Sequence, residues 1–225
     1  MVALGNLVAC VAHEIRNPLT AIKTFTELIP LKFDNPDFRE KISIYVPREI
    51  ERLNNIINDL LNYSHPRKSC GEIIYVKELV ESTLVLFSER IKNKMIALDI
   101  AVEDDIIIFV DKQQMKQVVI NIILNAIEAI ENREDACLHI ASYKEKNDVV
   151  LVVADNGVGI AATDVNRVFE PFFTTKNNGT GLGLFVSYQL VKENDGDIII
   201  DSGEKCGTKV VMRFPCVRSE VIDHV

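Results

Sequence analysis

Apolar side chains recur every seven residues near the start of the chain. Val8, Ile15, Ile22 and Ile29 form one row, and Leu4, Val11 and Phe25 a second, with Pro18 in the second row's missing place. This heptad spacing predicts a helix that packs into a coiled-coil-like bundle. Leu31 to Pro36 reads as a turn, with Asp34-Asn35-Pro36 as the breaker. A second helix follows, with Val46, Leu53 and Leu60 on one row and Ile50 and Ile57 on the next. Pro47 either kinks that helix or begins a new one. Two helices cover little core, so the expected solution is a four-helix bundle built by two chains.

The pattern then changes. Ser64 to Gly71 is polar and contains Pro and Gly, as a linker does. Val76–Lys94 reads as an amphipathic helix, Met95–Val102 and Ile106–Val110 as strands, and Asp111–Asn132 as a long helix. Leu138–Tyr143 and Val149–Ala154 read as strands, Thr180–Asn194 as a helix, and Asp197–Asp201 and Thr208–Phe214 as closing strands. Helices mixed with mostly hairpin-connected strands imply an α+β two-layer sandwich. The expected organisation is a helical hairpin over 1–66, a linker over 67–71, an α/β domain over 72–217 and a tail over 218–225.

Composition narrows the classes. With 48% hydrophobic and 26% charged residues the chain is globular. Lys and Arg number 25 against 33 Asp and Glu, a net charge of −8, which argues against a nucleic-acid partner. Five cysteines without a CxxC pair argue for reduced thiols and a cytoplasmic setting. No apolar run reaches the ~18 residues of a membrane span.

With Val8 and Ile15 at heptad position a, His13 falls at f, in solvent. An exposed imidazole is usually inert, but its neighbours carry chemistry. Glu14 is adjacent, Asn17 lies one helical turn on, and Pro18 cannot donate to the Glu14 carbonyl, so the helix should bend beside His13. Imidazole is a nucleophile through its free ring lone pair. A carboxylate beside it can hold or accept the other ring proton. A nearby amide can orient water.

Three further segments suit a nucleotide. Asn121 and Asn125 sit four apart on a helix otherwise lined with Ile, Leu and Val. They are either surface amides or a polar site, and an Asn carbonyl is a hard ligand for Mg²⁺. Asp155-Asn156-Gly157-Val158-Gly159 follows an apolar strand. It is either a tight turn or a site where a carboxylate meets an exocyclic amine while glycines admit a flat ring. Gly179-Thr180-Gly181-Leu182-Gly183 opens a helix, where backbone N–H groups and the dipole attract anions. It lacks the Lys-Ser/Thr of a P-loop. Between these two, Phe169 to Lys176 carries aromatics that anchor a lid and a lysine that can reach phosphate.

His13-Glu14-Ile15-Arg16-Asn17-Pro18-Leu19 resembles the H-box of bacterial sensor histidine kinases, and Asp59 to Ser64 resembles the matching second helix. The four later segments, in order, resemble the N, G1, F and G2 boxes of the GHKL ATPases. The short stretch between Lys176 and Gly181 is similar to the nitrogen-regulation and sporulation kinase branch. The resemblance implies a dimeric four-helix bundle followed by a Bergerat-fold ATP-binding domain. It implies that ATP with Mg²⁺ phosphorylates His13, and that the phosphoryl group passes to an Asp of a response-regulator receiver domain. Glu14 would be the acid/base partner, and Asn17 would orient water when the kinase dephosphorylates its partner. Asn125 would ligate Mg²⁺, with Asn121 as a phosphate or metal-water partner. Asp155 would recognise adenine. Gly157, Gly159, Gly181 and Gly183 would shape the pocket, with Lys176, Thr180 and Leu182 beside the nucleotide. The alternative is a nucleotide-gated GHKL module in which no histidine is phosphorylated. With neither sensor nor transmembrane segment evident, the chain reads as a cytoplasmic core, either by itself or within a larger membrane-bound sensor.

Overall fold

The computed structural model describes residues 2–64, 71–131, 133–176 and 179–217, with all their side chains except those of 2–10, 14, 55 and 58–64. The linker over 67–71 and the tail over 218–225 therefore lie outside the described residues, apart from Gly71. So do the side chains of Leu4, Val8, Glu14 and the Asp59–Ser64 motif. The chain divides into two compact units. One comprises Met1–His65 and Glu170–Gly183, the other Pro66–Phe169 and Leu184–Val225.

In the first unit, α1 (Val2–Lys32) and α2 (Pro36–Ser64) form the expected hairpin. Asn35 is the N-cap of α2, its Oδ1 accepting the N–H groups of Asp37 and Phe38. Pro36 thus opens α2 instead of only breaking α1, because the first helical position needs no N–H donor. Pro47 lies inside α2, which runs through it. Pro18 is buried within α1, and two turns of helix around it use Thr hydroxyls: Thr20 donates to the Arg16 carbonyl and Thr24 to that of Thr20. Near the turn Phe25 stacks on Tyr45 at 5.9 Å and meets Phe38 at 6.2 Å.

The second unit carries a two-stranded and a five-stranded sheet. β1 (Glu72–Tyr75) pairs with β3 (Ile107–Val110) in a small separate sheet, with α3 (Val76–Asn93) and β2 (Ala97–Val102) between them in sequence. After α4 (Lys112–Ile130) come β4 (Cys137–Glu145), β5 (Asp148–Asp155), α5 (Gly183–Glu193), β6 (Asp197–Gly203) and β7 (Gly207–Pro215). The main sheet runs β2-β4-β5-β7-β6, antiparallel except for the β2–β4 pair. β5 is buried continuously from Val149 to Val153, as a central strand should be. Strands β4, β7 and β6 alternate: Leu138, Ile140, Ile198, Ile200, Val210, Met212 and Phe214 are buried, and α4 lies across β4, β5 and β7. On α4 the buried row runs Met115, Val118, Val119, Ile122, Ile123, Ala126, Ile127, Ile130. Asp111 caps it by accepting the N–H groups of Gln113 and Gln114. The α+β two-layer expectation holds.

Two expectations are corrected. Glu72–Tyr75 is a strand that the pattern did not predict. The last helix begins at Gly183, not Thr180, because Gly181 sits at φ +68, outside the right-handed helical region.

Candidate functional site

In the first unit His13 is exposed on α1. The Asn17 amide lies 3.4 Å from its Nδ1, the one-turn neighbour relation that a helix imposes. Turned one way the amide donates to Nδ1; turned the other, its oxygen accepts Nδ1–H and leaves the Nε2 lone pair outward. Pro18 points to the covered side.

The same unit holds the segment around Lys176. Phe172 (φ +66) donates its N–H to the Gly181 carbonyl at 2.9 Å, pinning the two ends of the segment together. A Cβ at Gly181 would lie 2.3 Å from the Phe172 carbonyl carbon, so no other residue fits there. Inside the loop, the Thr174 hydroxyl accepts the Lys176 N–H at 3.1 Å, and Gly179 N–H donates to the Lys176 carbonyl. Lys176 is exposed, Thr180 half-buried and Leu182 buried. Residues 177 and 178 lie outside the described residues. The F-box aromatic Phe169, in the second unit, packs on Tyr188 at 5.1 Å.

In the second unit Asp155 ends β5, as the pattern predicts. Its Oδ1 accepts two backbone N–H groups, from Gly157 at 2.8 Å and Thr208 at 3.2 Å. The turn after it is tied on three sides. Asn156 accepts the Cys137 N–H and donates to the Asp135 carbonyl; Val158 N–H donates to Ala129 at the end of α4; Lys205 N–H donates to Val158. Ser202 accepts the Ile160 N–H and donates to the Gly207 carbonyl. Gly159 (φ +69) lies so close to the β6–β7 hairpin that a Cβ would stand 1.9 Å from the Gly203 carbonyl oxygen. Asn156, Ser202 and Thr208 were not singled out by the sequence reading. Only Asn156 carried a signal, its place inside the turn motif; the other two matter through a pairing that spacing does not reveal.

Asn121 and Asn125 are half-buried on α4, flanking its apolar row. Asn121 Nδ2 donates to Ser187 on α5 at 3.4 Å. At the end of α4, Glu131 would oppose the helix dipole. Lys94 at 2.9 Å and Arg90 at 3.6 Å offset this, and the hydrogen bond from Lys94 holds the Glu131 carboxyl below the usual glutamate range. Among the described residues no group of three or more His, Cys, Asp or Glu could form a metal cage. A Mg²⁺ carried on phosphate oxygens needs no such cage, and one amide oxygen suits it.

Residues 110–218 match the family described as histidine kinase-, DNA gyrase B-, and HSP90-like ATPase. Residues 3–68 match the His Kinase A (phospho-acceptor) domain. The chain is 34% identical over 216 residues to signal transduction histidine-protein kinase AtoS of Escherichia coli (strain K12), covering 96% of this chain and 35% of that one. It is 35% identical over 213 residues to sporulation kinase A of Bacillus subtilis (strain 168), covering 94% and 34%. It thus spans about a third of the length of these two kinases. The catalytic domain of histidine kinase ThkA matches 65% of this chain and 96% of its own at 31% identity and a TM-score of 0.60. Histidine kinase ThkA in complex with response regulator protein TrrA matches 95% of this chain and 62% of its own at 31% identity and a TM-score of 0.77. The chain belongs to the histidine kinase family and is a catalytic core of that family.

Proposed function

We propose that this chain transfers the γ-phosphoryl group of ATP to His13 and then to an aspartate of a response-regulator receiver domain. One observation carries the reading: an exposed imidazole, with an amide beside its Nδ1, stands in the same chain as an ATP-using domain. The ring nitrogen lone pair attacks the γ-phosphorus, an N–P bond forms, and the bond to the ADP oxygen breaks. Glu14 takes up the ring proton. The receiver carboxylate then attacks phosphorus, the N–P bond breaks, and His13 is restored. In a phosphatase role Asn17 orients a water molecule that attacks the receiver's acyl phosphate, the bond to the aspartate oxygen breaks, and inorganic phosphate leaves.

For the nucleotide, Asp155 accepts the adenine amine while Gly157 and Gly159 leave room for the ring. Asn121, Lys176 and Thr180 serve the phosphates, and Gly181, Leu182 and Gly183 provide backbone N–H groups. Asn125 is the Mg²⁺ ligand; the ion, when bound, neutralises phosphate charge. At a chain charge of −8, these local donors must supply the positive field that ATP requires. The phospho-acceptor domain implies a dimer, and Ile44, Ile50 and Ile57 on α2, all exposed in the single chain, are the apolar surface a second hairpin would cover. Among the described residues no helix is long and apolar enough to cross a membrane. Free thiols at Cys137, Cys206 and Cys216 and the use of ATP fit a cytoplasmic location.

The test uses γ-labelled ATP. Acid-labile, base-stable label is expected on the wild-type chain and absent from His13→Gln, with chase to a receiver domain. Label that persists in His13→Gln would refute the assignment. Nucleotide binding without any label would favour the nucleotide-gated module instead.

A further inference from the structure

We infer that Ser202 is a positioning residue that makes the base site prefer a 6-amino purine to a 6-oxo purine, acting through the Thr208 hydroxyl. The inference rests on the reading of the turn at Asp155 as the adenine site, and deepens it. Asp155, Thr208 and Ser202 are successive register partners across β5, β7 and β6. Register partners project to the same face, so the three side chains form one row across the sheet. At the β5 end of the row, Asp155 Oδ1 accepts the Thr208 N–H at 3.2 Å.

The β6 end is fixed by counting hydrogens. A serine hydroxyl has one hydrogen and two lone pairs. The Ser202 hydrogen goes to the Gly207 carbonyl at 2.8 Å, a group that can only accept. One lone pair takes the Ile160 N–H at 2.9 Å, a group that can only donate. The other faces Thr208 Oγ1 at 3.0 Å. With the Ser202 hydrogen already committed, Thr208 must be the donor in that contact. Both anchors of Ser202 are backbone groups, one past the glycine turn and one on the β6–β7 hairpin, so the direction is built into the fold.

The consequence lies at Thr208. Its hydrogen points back to β6, and the oxygen offers lone pairs alone on its other side. An ionised carboxylate likewise only accepts. The row therefore presents acceptors and no donor to a purine edge that meets Asp155. A 6-amino group brings N–H donors to such a row. A 6-oxo group brings lone pairs to lone pairs, and the unpaired groups count against it.

The experiment uses the full 225-residue chain. Affinities for ATP and inosine triphosphate, each with Mg²⁺, are measured by displacement of a fluorescent nucleotide. The wild type is expected to prefer ATP. Ser202→Ala frees the Thr208 hydroxyl to turn and donate, so the preference should fall about tenfold, the worth of one hydrogen bond. Inosine triphosphate should bind no more weakly than to the wild type. Ser202→Thr keeps a hydroxyl and should keep the preference. Thr208→Val should also lower it, and adding Ser202→Ala to that variant should change nothing further. The preference is a ratio, so it does not depend on how much of a variant is folded. Equal losses for both nucleotides would show a packing role and overturn the inference, as would additive effects in the double variant. A preference lost in Asp155→Asn but kept in Ser202→Ala overturns the inference and leaves the adenine reading intact. A wild type that binds both nucleotides equally overturns the two together.

Discussion

The Thr208 N–H donates to Oδ1 of Asp155 at 3.2 Å, between residues that are register partners on β5 and β7. With Gly157 bound to the same oxygen, two backbone N–H groups hold the carboxylate at the strand end. Asp155→Asn keeps an oxygen for both N–H groups but turns a donor toward any adenine amine. The fold should survive, with melting unchanged within about 2 °C, while ATP affinity drops about 100-fold through a donor facing a donor. Calorimetric titration against ATP reads this directly; unaltered affinity would remove Asp155 from the adenine site.

Asn125 tests the metal. Asn125→Ala should cut His13 labelling by at least ~100-fold, comparable to losing one transition-state contact, and raised Mg²⁺ should restore part of it. The circular dichroism spectrum and the dimer should be unaffected. Normal labelling would place the Mg²⁺ ligand elsewhere.

Asn194, just after α5, ties that helix to the start of α4. Truncation to Ala leaves the Asp111 N–H and Gln114 Oε1 without this partner at a site where Asn194 is 7% exposed. The expected cost is about 2–3 kcal/mol, seen as a lower urea midpoint at unchanged m-value. A midpoint equal to wild type would mean that water replaces the amide without loss.

Ser142 is the opposite case. It lies on β4, 2% exposed, and its Oγ has no hydrogen-bond partner among the described residues. Removing an unpaired buried hydroxyl relieves a desolvation cost, so Ser142→Ala should raise stability by about 1 kcal/mol. A lower melting temperature would show that the hydroxyl is satisfied.

The Glu131 contacts with Lys94 and Arg90 give a pH dependence. A carboxyl held below its ordinary range contributes stability that is present above the unfolded-state value and lost as pH falls through the folded-state value. Wild type should therefore exceed Glu131→Gln in urea midpoint at pH 7, and the gap should close as pH drops beneath the usual glutamate range. The gap should be small and shrink in high salt, because the pair is solvent-accessible. A gap that widens in acid would contradict the sign.

Much of the fold was legible because it rests on periodic patterns. The seven-residue rows of α1 and the apolar row of α4 each need only local spacing to be read, and both helices lie where those rows put them. The strand Glu72–Tyr75 was not legible, since four residues carry no alternation and it exists only by pairing with β3. Helix α5 was placed three residues early because a glycine at φ +68 looks, as sequence, like any other glycine.

By itself the sequence determined the order of chemical groups: an exposed His13 on a heptad helix, amides four apart on α4, an acid before a glycine turn, and the elements that carry them. These follow from short-range rules of spacing and backbone freedom. The tertiary structure alone decided which distant residues hold those groups in place. Thr208 reaches Asp155 across 53 residues of chain, Ser202 reaches Ile160 across 42, and Ser187 reaches Asn121 across 66. Such contacts depend on strand register and on how two helices pack, and both are set by burial of the whole core.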